Sequence, residues 1–107
     1  MNEARTVILH AAEGAKDVVR AVDAARRLHA EHPELNIRVI VNGAALDGLI
    51  APEAPAAPEG VHVQACAFGL CKRGIDASVL PSGVETVPAA VTAIVEAELS
   101  GAAYVRI

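Results

Sequence analysis

Three side chains that could take part in chemistry lie at the ends of short runs rich in β-branched residues. His10 ends the first run, Asn42 follows the second and Cys66 follows the third. In open parallel sheets, ligands bind at the carboxyl ends of the strands. If the three runs form neighbouring strands, all three side chains lie along one edge of the sheet. This pattern predicts a site that combines a nucleophilic thiol with an imidazole and an amide.

Cys66 is the most informative of the three because it stands between a predicted strand and a predicted short helix. Free N–H groups at the start of a helix favour a nearby anion. A thiolate in that position is a competent nucleophile and sulfur acceptor. The alternative is that Cys66 is a small buried apolar residue, as free cysteines commonly are, and that His10 only hydrogen-bonds a loop carbonyl. The residues alone leave both interpretations open.

Cys71 and two of the remaining histidines give weaker signals. Cys71 lies five residues after Cys66, which on a helix is about 7.5 Å of axial rise, so the pair is poorly placed for a disulfide. We therefore expect Cys71 to serve packing. His29 and His32 are three residues apart, but no cysteine or carboxylate cluster completes a metal site around them. We expect no metal and no organic cofactor.

The elements that must position these side chains alternate between strand and helix patterns. Predicted strands cover residues 5–10, 36–41, 61–65, 84–87 and 102–107. Predicted helices cover residues 14–31, 44–50 and 66–73, and a last one runs from Pro88 to a stop at Gly101 with Val91, Ile94 and Val95 facing inward. Proline-rich residues 51–60 predict a surface connector. The alternation predicts one α/β domain over residues 1–107, with helices on both faces of a parallel sheet.

The composition excludes several classes of protein. The net charge is −4 and the aromatic residues are Phe68 and Tyr104, whereas nucleic-acid binders need basic surfaces and stacking rings. A mean hydropathy of +0.39 excludes a disordered chain. No apolar run approaches the roughly 20 residues of a membrane helix, and no secretory signal is recognisable. We expect a cytoplasmic protein that binds neither nucleic acid nor membranes.

Small residues dominate the apolar part of the chain, which has 23 alanines and 14 valines. Such side chains bury less apolar area than leucine, isoleucine or phenylalanine. We therefore expect the stability of the domain to depend on burial between subunits of an oligomer.

Two stretches of the chain resemble a known family. Residues 61–75 (VHVQACAFGLCKRGI) resemble the strand–Cys–helix–basic–Gly motif of the DsrE/DsrF-like sulfur-relay family (TusD/YchN-like). Residues 84–107 (VETVPAAVTAIVEAELSGAAYVRI) are similar to the end of that family, where Val-Pro opens the last helix and Gly-x-x-Tyr begins the closing strand. The segments TVILHAAEG and VIVNG are compatible with it. Residues 51–60 depart from the family, which has more helix there.

The resemblance implies a three-layer α/β/α fold with a five-stranded, mainly parallel sheet, assembled into homo-oligomers, either trimers or hexamers. It also implies a sulfur carrier or sulfurtransferase in which Cys66 accepts a persulfide sulfur and passes it to a partner protein. Cys71 falls where other members carry an apolar residue. We expect the substrate to contact His10, Asn42, Gly43 and Ala67.

Two other functions stay open from the sequence. In a non-catalytic oligomeric module that binds a small ligand, Cys66 would be incidental to binding. In a cysteine-based redox sensor, mild oxidant would form a sulfenate on Cys66, although Cys71 is poorly placed to resolve it.

Overall fold

A parallel sheet of five strands organises the chain. The computed structural model describes residues 5–107, so the first four residues of the predicted domain lie outside the described part. The strands are β1 (Thr6–Ala11), β2 (Asn36–Val41), β3 (Val61–Cys66), β4 (Glu85–Val87) and β5 (Ala103–Arg106). They lie in the order β4-β3-β2-β1-β5, and every neighbouring pair is parallel. The predicted five-stranded α/β fold is confirmed.

Four α-helices connect the strands and form the outer layers. They are α1 (Lys16–Glu31), α2 (Asp47–Ile50), α3 (Ala67–Lys72) and α4 (Ala90–Leu99), with 3-10 turns at Gly43–Leu46 and Ala77–Val79. Residues 51–60 contain no helix or strand, in agreement with the predicted connector. Among the described residues, no helix combines the length and the apolar character needed to cross a bilayer.

Helices α1, α2 and α3 cover one face of the sheet, which we call the core face. On α1, the buried positions Val18, Ala21, Val22 and Ala25 follow helical spacing, so the helix presents one apolar stripe to the strands. Leu49 of α2 and Leu70 of α3 join the same cluster. These helices pack the larger part of the apolar core against the inward side chains of β1, β2 and β3.

Helix α4 covers part of the opposite face, which we call the α4 face. Ala90, Ile94 and Ala97 pack there against Ile8, Ile40 and Cys66. Together with the core face, this arrangement gives the three layers expected for the fold.

The predicted inward face of the last helix is wrong in two of its three residues. Ile94 is buried, but Val91 and Val95 are 69% and 48% exposed, while Ala90 and Ala97 take the inward positions. The apolar residues of this helix lie on several of its sides, so their spacing alone does not identify the buried face. Alanine on the inner side lets the helix approach the strands closely. The helix also begins at Ala90 rather than at Pro88.

The part of the α4 face beyond the helix is polar and open. Arg38 Nε donates to Gln64 Oε1 (2.9 Å), and Gln64 Nε2 donates to Glu85 Oε1 (3.0 Å), so three neighbouring strands are joined by side-chain hydrogen bonds. Helix α4 therefore covers only part of this face.

Candidate functional site

The sulfur of Cys66 lies where two helices begin. Cys66 ends β3 and caps α3, and its Sγ accepts hydrogen bonds from the backbone N–H groups of Gly69 (3.4 Å) and Ala90 (3.3 Å). The second donor comes from α4, because Cys66 pairs with Val87 at the end of β4 and the chain turns from there into that helix. Two segments that are distant in sequence thus converge on one sulfur atom.

Both backbone donors are placed to bind negative charge that develops on the sulfur during a transfer, since hydrogen bonds to a charged acceptor are the stronger ones. The positive end of α4, a helix of ten residues, acts in the same direction. Glycine at position 69 matters for the local packing, because a Cβ there would lie 2.8 Å from Leu46 Cδ1. The arrangement equips Cys66 to act as a nucleophile.

An open cleft of about 430 Å³ lies over Cys66. Its walls are apolar except for one amide, and they are formed by Asn42, Cys66, Phe68, Ala89, Ala90 and Val91. The residue Cys66 as a whole is only 5% exposed, so the cleft is the route by which a reagent reaches its sulfur. Phe68 and Val91 at the mouth are mostly exposed. The cleft can receive a small group, or a narrow segment of another protein.

A buried histidine connects this cleft to the last strand. His10 Nε2 lies 2.8 Å from Asn42 Oδ1, and His10 Nδ1 lies 2.7 Å from the hydroxyl of Tyr104. His10 is 8% exposed. The predicted side chains of His10, Asn42 and Cys66 therefore lie at one edge of the sheet, with Asn42 between the histidine and the cleft.

Gly43 and Ala67, the other two predicted contact residues, flank this arrangement without lining the cleft among the described residues. Gly43 begins a 3-10 turn with φ of 58°, and a Cβ there would lie 2.9 Å from the carbonyl oxygen of Ala12. Ala67 is the first residue of α3 and is exposed. Contact of either residue with a substrate stays a prediction.

Sequence reasoning did not assign Tyr104 or the start of α4 to the site. Tyr104 reaches His10 because β5 pairs with β1 rather than with the strand that precedes it in sequence. Ala89, Ala90 and Val91 reach the cleft because β4 lies beside β3. Tyr104 could have been singled out as one of only two aromatic residues in the chain.

Cys71 does not serve packing as predicted. It is exposed on the outer side of α3, while its neighbour Leu70 fills the buried position. Both cysteines are free thiols. Within residues 5–107, no cluster of three histidine, cysteine or carboxylate groups is placed to hold a metal ion.

An ion pair links the end of α3 to the start of α2. Arg73 Nε and one terminal nitrogen donate to the two carboxylate oxygens of Asp47, at 3.2 and 2.6 Å. The hydrogen bonds that Arg73 donates to the Asp47 carboxylate raise the pKa of Arg73. This contact connects the helix that follows Cys66 to the helix that follows the Asn42 turn.

Comparison with known proteins establishes the fold class of the chain. No protein-family model matches the chain, and no curated protein sequence matches it. Its structure is similar to that of MTH1491 from Methanobacterium thermoautotrophicum, a protein of unknown function, with 25% identity and a TM-score of 0.80 over 95% of this chain and 98% of that one. It is also similar to YchN from E. coli, with 19% identity and a TM-score of 0.71 over the whole of both chains. The chain has the YchN-like α/β fold.

Proposed function

We propose that this protein is a sulfur carrier in which Cys66 accepts a sulfur atom from a persulfide and passes it to a partner protein. The observation that carries the proposal is the pair of backbone N–H groups on Cys66 Sγ at the base of an open apolar cleft. This arrangement places two hydrogen-bond donors on a sulfur that a donor group can reach through the cleft.

The transfer is a thiol exchange without net oxidation. The Cys66 thiolate attacks the outer sulfur of a donor R–S–SH and forms a new S–S bond. The bond between the two donor sulfurs breaks, and its electron pair leaves on R–S⁻. Cys66–S–SH then gives its outer sulfur to an acceptor thiolate by the same step, which regenerates the Cys66 thiolate. The apolar walls of Phe68, Ala89 and Val91 limit access of water to the bound sulfur.

The first test is intact-protein mass spectrometry after incubation with a low-molecular-weight persulfide. We expect one added sulfur on the wild type and on Cys71→Ser, and none at this position in Cys66→Ser. Cys71→Ser is the matched control because its thiol is free but lies on the exposed side of α3. A wild type that takes up no sulfur, or an adduct that persists in Cys66→Ser, contradicts the proposal.

The cleft favours one alternative, a non-catalytic module that binds a small ligand. A volume of about 430 Å³ lies within the range of small-molecule sites. In that case Cys66→Ser would keep both ligand binding and biological activity, whereas a sulfur carrier would lose activity.

We further propose that the protein forms a homo-oligomer, either a trimer or a hexamer. The outer side of α4 carries three exposed apolar residues, Val91, Val95 and Leu99 (69%, 48% and 84% exposed), and the sheet beside it is only half covered. Burial of these side chains between subunits would add the apolar area that a domain rich in alanine lacks.

A further inference from the structure

We infer that the cleft over Cys66 selects sulfur donors by their apolar character: it takes an uncharged aliphatic persulfide and disfavours persulfides that carry a charge close to the reacting sulfur. That the reacting compound is a persulfide rests on the proposed function. The preference for an uncharged, apolar group arises from the walls of the cleft and holds for any reagent that attacks this thiol through them.

The walls of the cleft offer apolar contacts and almost no polar surface. Besides Cys66, the lining consists of Asn42, Phe68, Ala89, Ala90 and Val91. The amide of Asn42 is tied to the buried His10, whose Nε2 lies 2.8 Å from Asn42 Oδ1. Among the described residues that line the cleft, no side chain carries a charge. A group that enters therefore exchanges contact with water for contact with carbon.

The polar backbone groups at the start of α3 and α4 are used inside the protein. The N–H groups of Gly69 and Ala90 donate to Cys66 Sγ, and the N–H of Phe68 donates to the carbonyl oxygen of Pro88 (3.1 Å). Such groups bind anions where a helix start leaves them free. Because these three are already occupied, they do not compensate a charged donor for the water that it loses.

Loss of hydration then decides which donors react fastest. Cys66 is only 5% exposed, so the atoms that follow the reacting sulfur of the donor must enter the cleft. An ammonium or carboxylate group on those atoms, as in an amino-acid persulfide, would leave water for walls that give it no partner, which is unfavourable. An aliphatic chain gains from the same transfer, by about fourfold for each methylene that is fully buried.

Lys72 stands beside the mouth of the cleft and would produce a different preference. Its Nζ lies 5.6 Å from the centre of the Phe68 ring, and the residue does not belong to the lining. If this charge governed access, anionic donors would react faster than neutral ones. Reagents of both charges distinguish the two cases.

Methanethiosulfonates test the preference without sulfur loading, because a thiolate attacks their sulfenyl sulfur and displaces methanesulfinate. The trimethylammonioethyl and neohexyl reagents have nearly the same shape and differ in charge, and the sulfonatoethyl reagent supplies an anion. On Cys71→Ser protein, we expect each charged reagent to react more slowly than the neohexyl reagent by about tenfold or more, after division by the same ratio for N-acetylcysteine amide. Each ratio cancels the thiolate population of Cys66.

Chain length gives a second measurement on the same protein. From ethyl to butyl methanethiosulfonate, the rate on Cys66 relative to the free thiol should rise by about tenfold, because two more methylenes enter the cleft. Ratios equal to those of the free thiol overturn the inference. Faster reaction of the anionic reagent than of the neutral one also overturns it, and would assign the control of access to Lys72.

Matched substitutions on α4 test whether the walls cause the preference. Val91 lines the cleft, whereas Val95 lies one turn further along the same helix and outside the lining. Val91→Lys should raise the rate of the anionic reagent relative to the neutral one by about threefold to tenfold, and Val95→Lys should leave this ratio near that of the background. Equal changes in both variants would mean that the preference does not arise in the cleft. Sulfur loading without the preference would refute this inference alone, and the preference without sulfur loading would refute only the proposed function.

Discussion

The two faces of the sheet differ in what covers them and in what they carry. The core face is packed by α1, α2 and α3 around leucine, isoleucine and valine side chains. The α4 face has one covering helix that packs through alanine and one isoleucine, and it carries His10, Cys66 and Tyr104 together with a row of polar residues. The comparison indicates that one face supplies most of the apolar core, while the other holds the candidate site and the surface that we propose for assembly.

The largest effect should come from the core face. Leu49→Ala should lower the free energy of unfolding by about 3 kcal/mol, because Leu49 is 1% exposed and its loss leaves a cavity between α2 and α1. Ile50→Ala is the matched control, since Ile50 is the next residue and is 45% exposed; it should cost less than about 1 kcal/mol. Equilibrium denaturation in urea measures both. Equal losses would mean that the core face does not dominate stability.

A substitution on the outer side of α4 should have an effect of intermediate size, on association rather than on folding. Leu99→Glu should weaken the proposed association of subunits by about tenfold or more, because Leu99 is 84% exposed and a glutamate there would place a charge in the proposed interface. Sedimentation velocity over a range of concentrations measures the change. For the wild type, the temperature of unfolding should rise with protein concentration.

The control for this variant is Ile50→Glu, which adds the same charge to an exposed apolar residue away from α4. It should leave association unchanged. A wild type that is a stable monomer at micromolar concentration would contradict the role given to the α4 face.

The smallest effect is expected in the connection between α3 and β4, which leads from the core face back to the sheet. The backbone N–H of Ser78 donates to Asp76 Oδ1 (2.9 Å) and lowers the pKa of Asp76 below its ordinary value of 3.8. A carboxyl group with a lowered pKa in the folded state stabilises above the pKa of the unfolded chain, and this stabilisation is lost as the pH falls through the folded value. The difference in unfolding temperature between wild type and Asp76→Ala should be small at neutral pH and should vanish in strong acid. A difference that persists in strong acid would assign another role to Asp76.

Helices α1 and α4 explain how much of the fold was predictable from sequence. In α1 the buried apolar residues occupy one stripe and most of the charged residues lie outside it, so spacing is enough to identify the buried face. In α4 apolar residues lie on several sides of the helix. The side that packs against the strands carries the small Ala90 and Ala97 rather than Val91 and Val95. The spacing of apolar residues cannot distinguish the buried face of α4 from its exposed face, because the face that is buried depends on the distance between the helix and the sheet.

The candidate site could likewise be predicted only in part from the sequence. His10, Asn42 and Cys66 could be placed at one edge because each ends or follows a recognisable strand in a parallel sheet. Tyr104 could not, since its place beside His10 depends on β5 crossing to the far side of β1. The Ala90 donor to Cys66 depends in turn on β4 pairing with β3. Both contacts arise from strand order, which local sequence patterns do not encode.

The two backbone N–H groups that donate to Cys66 Sγ come from separate parts of the chain, and this has a consequence for biosynthesis. Gly69 follows the cysteine closely, but Ala90 arrives only after β4 has joined the sheet. During translation, a chain that has emerged only as far as α3 carries the cysteine without its second donor. The sulfur environment is completed late, and the reactivity of this thiol should therefore report whether a newly made chain has reached its native state.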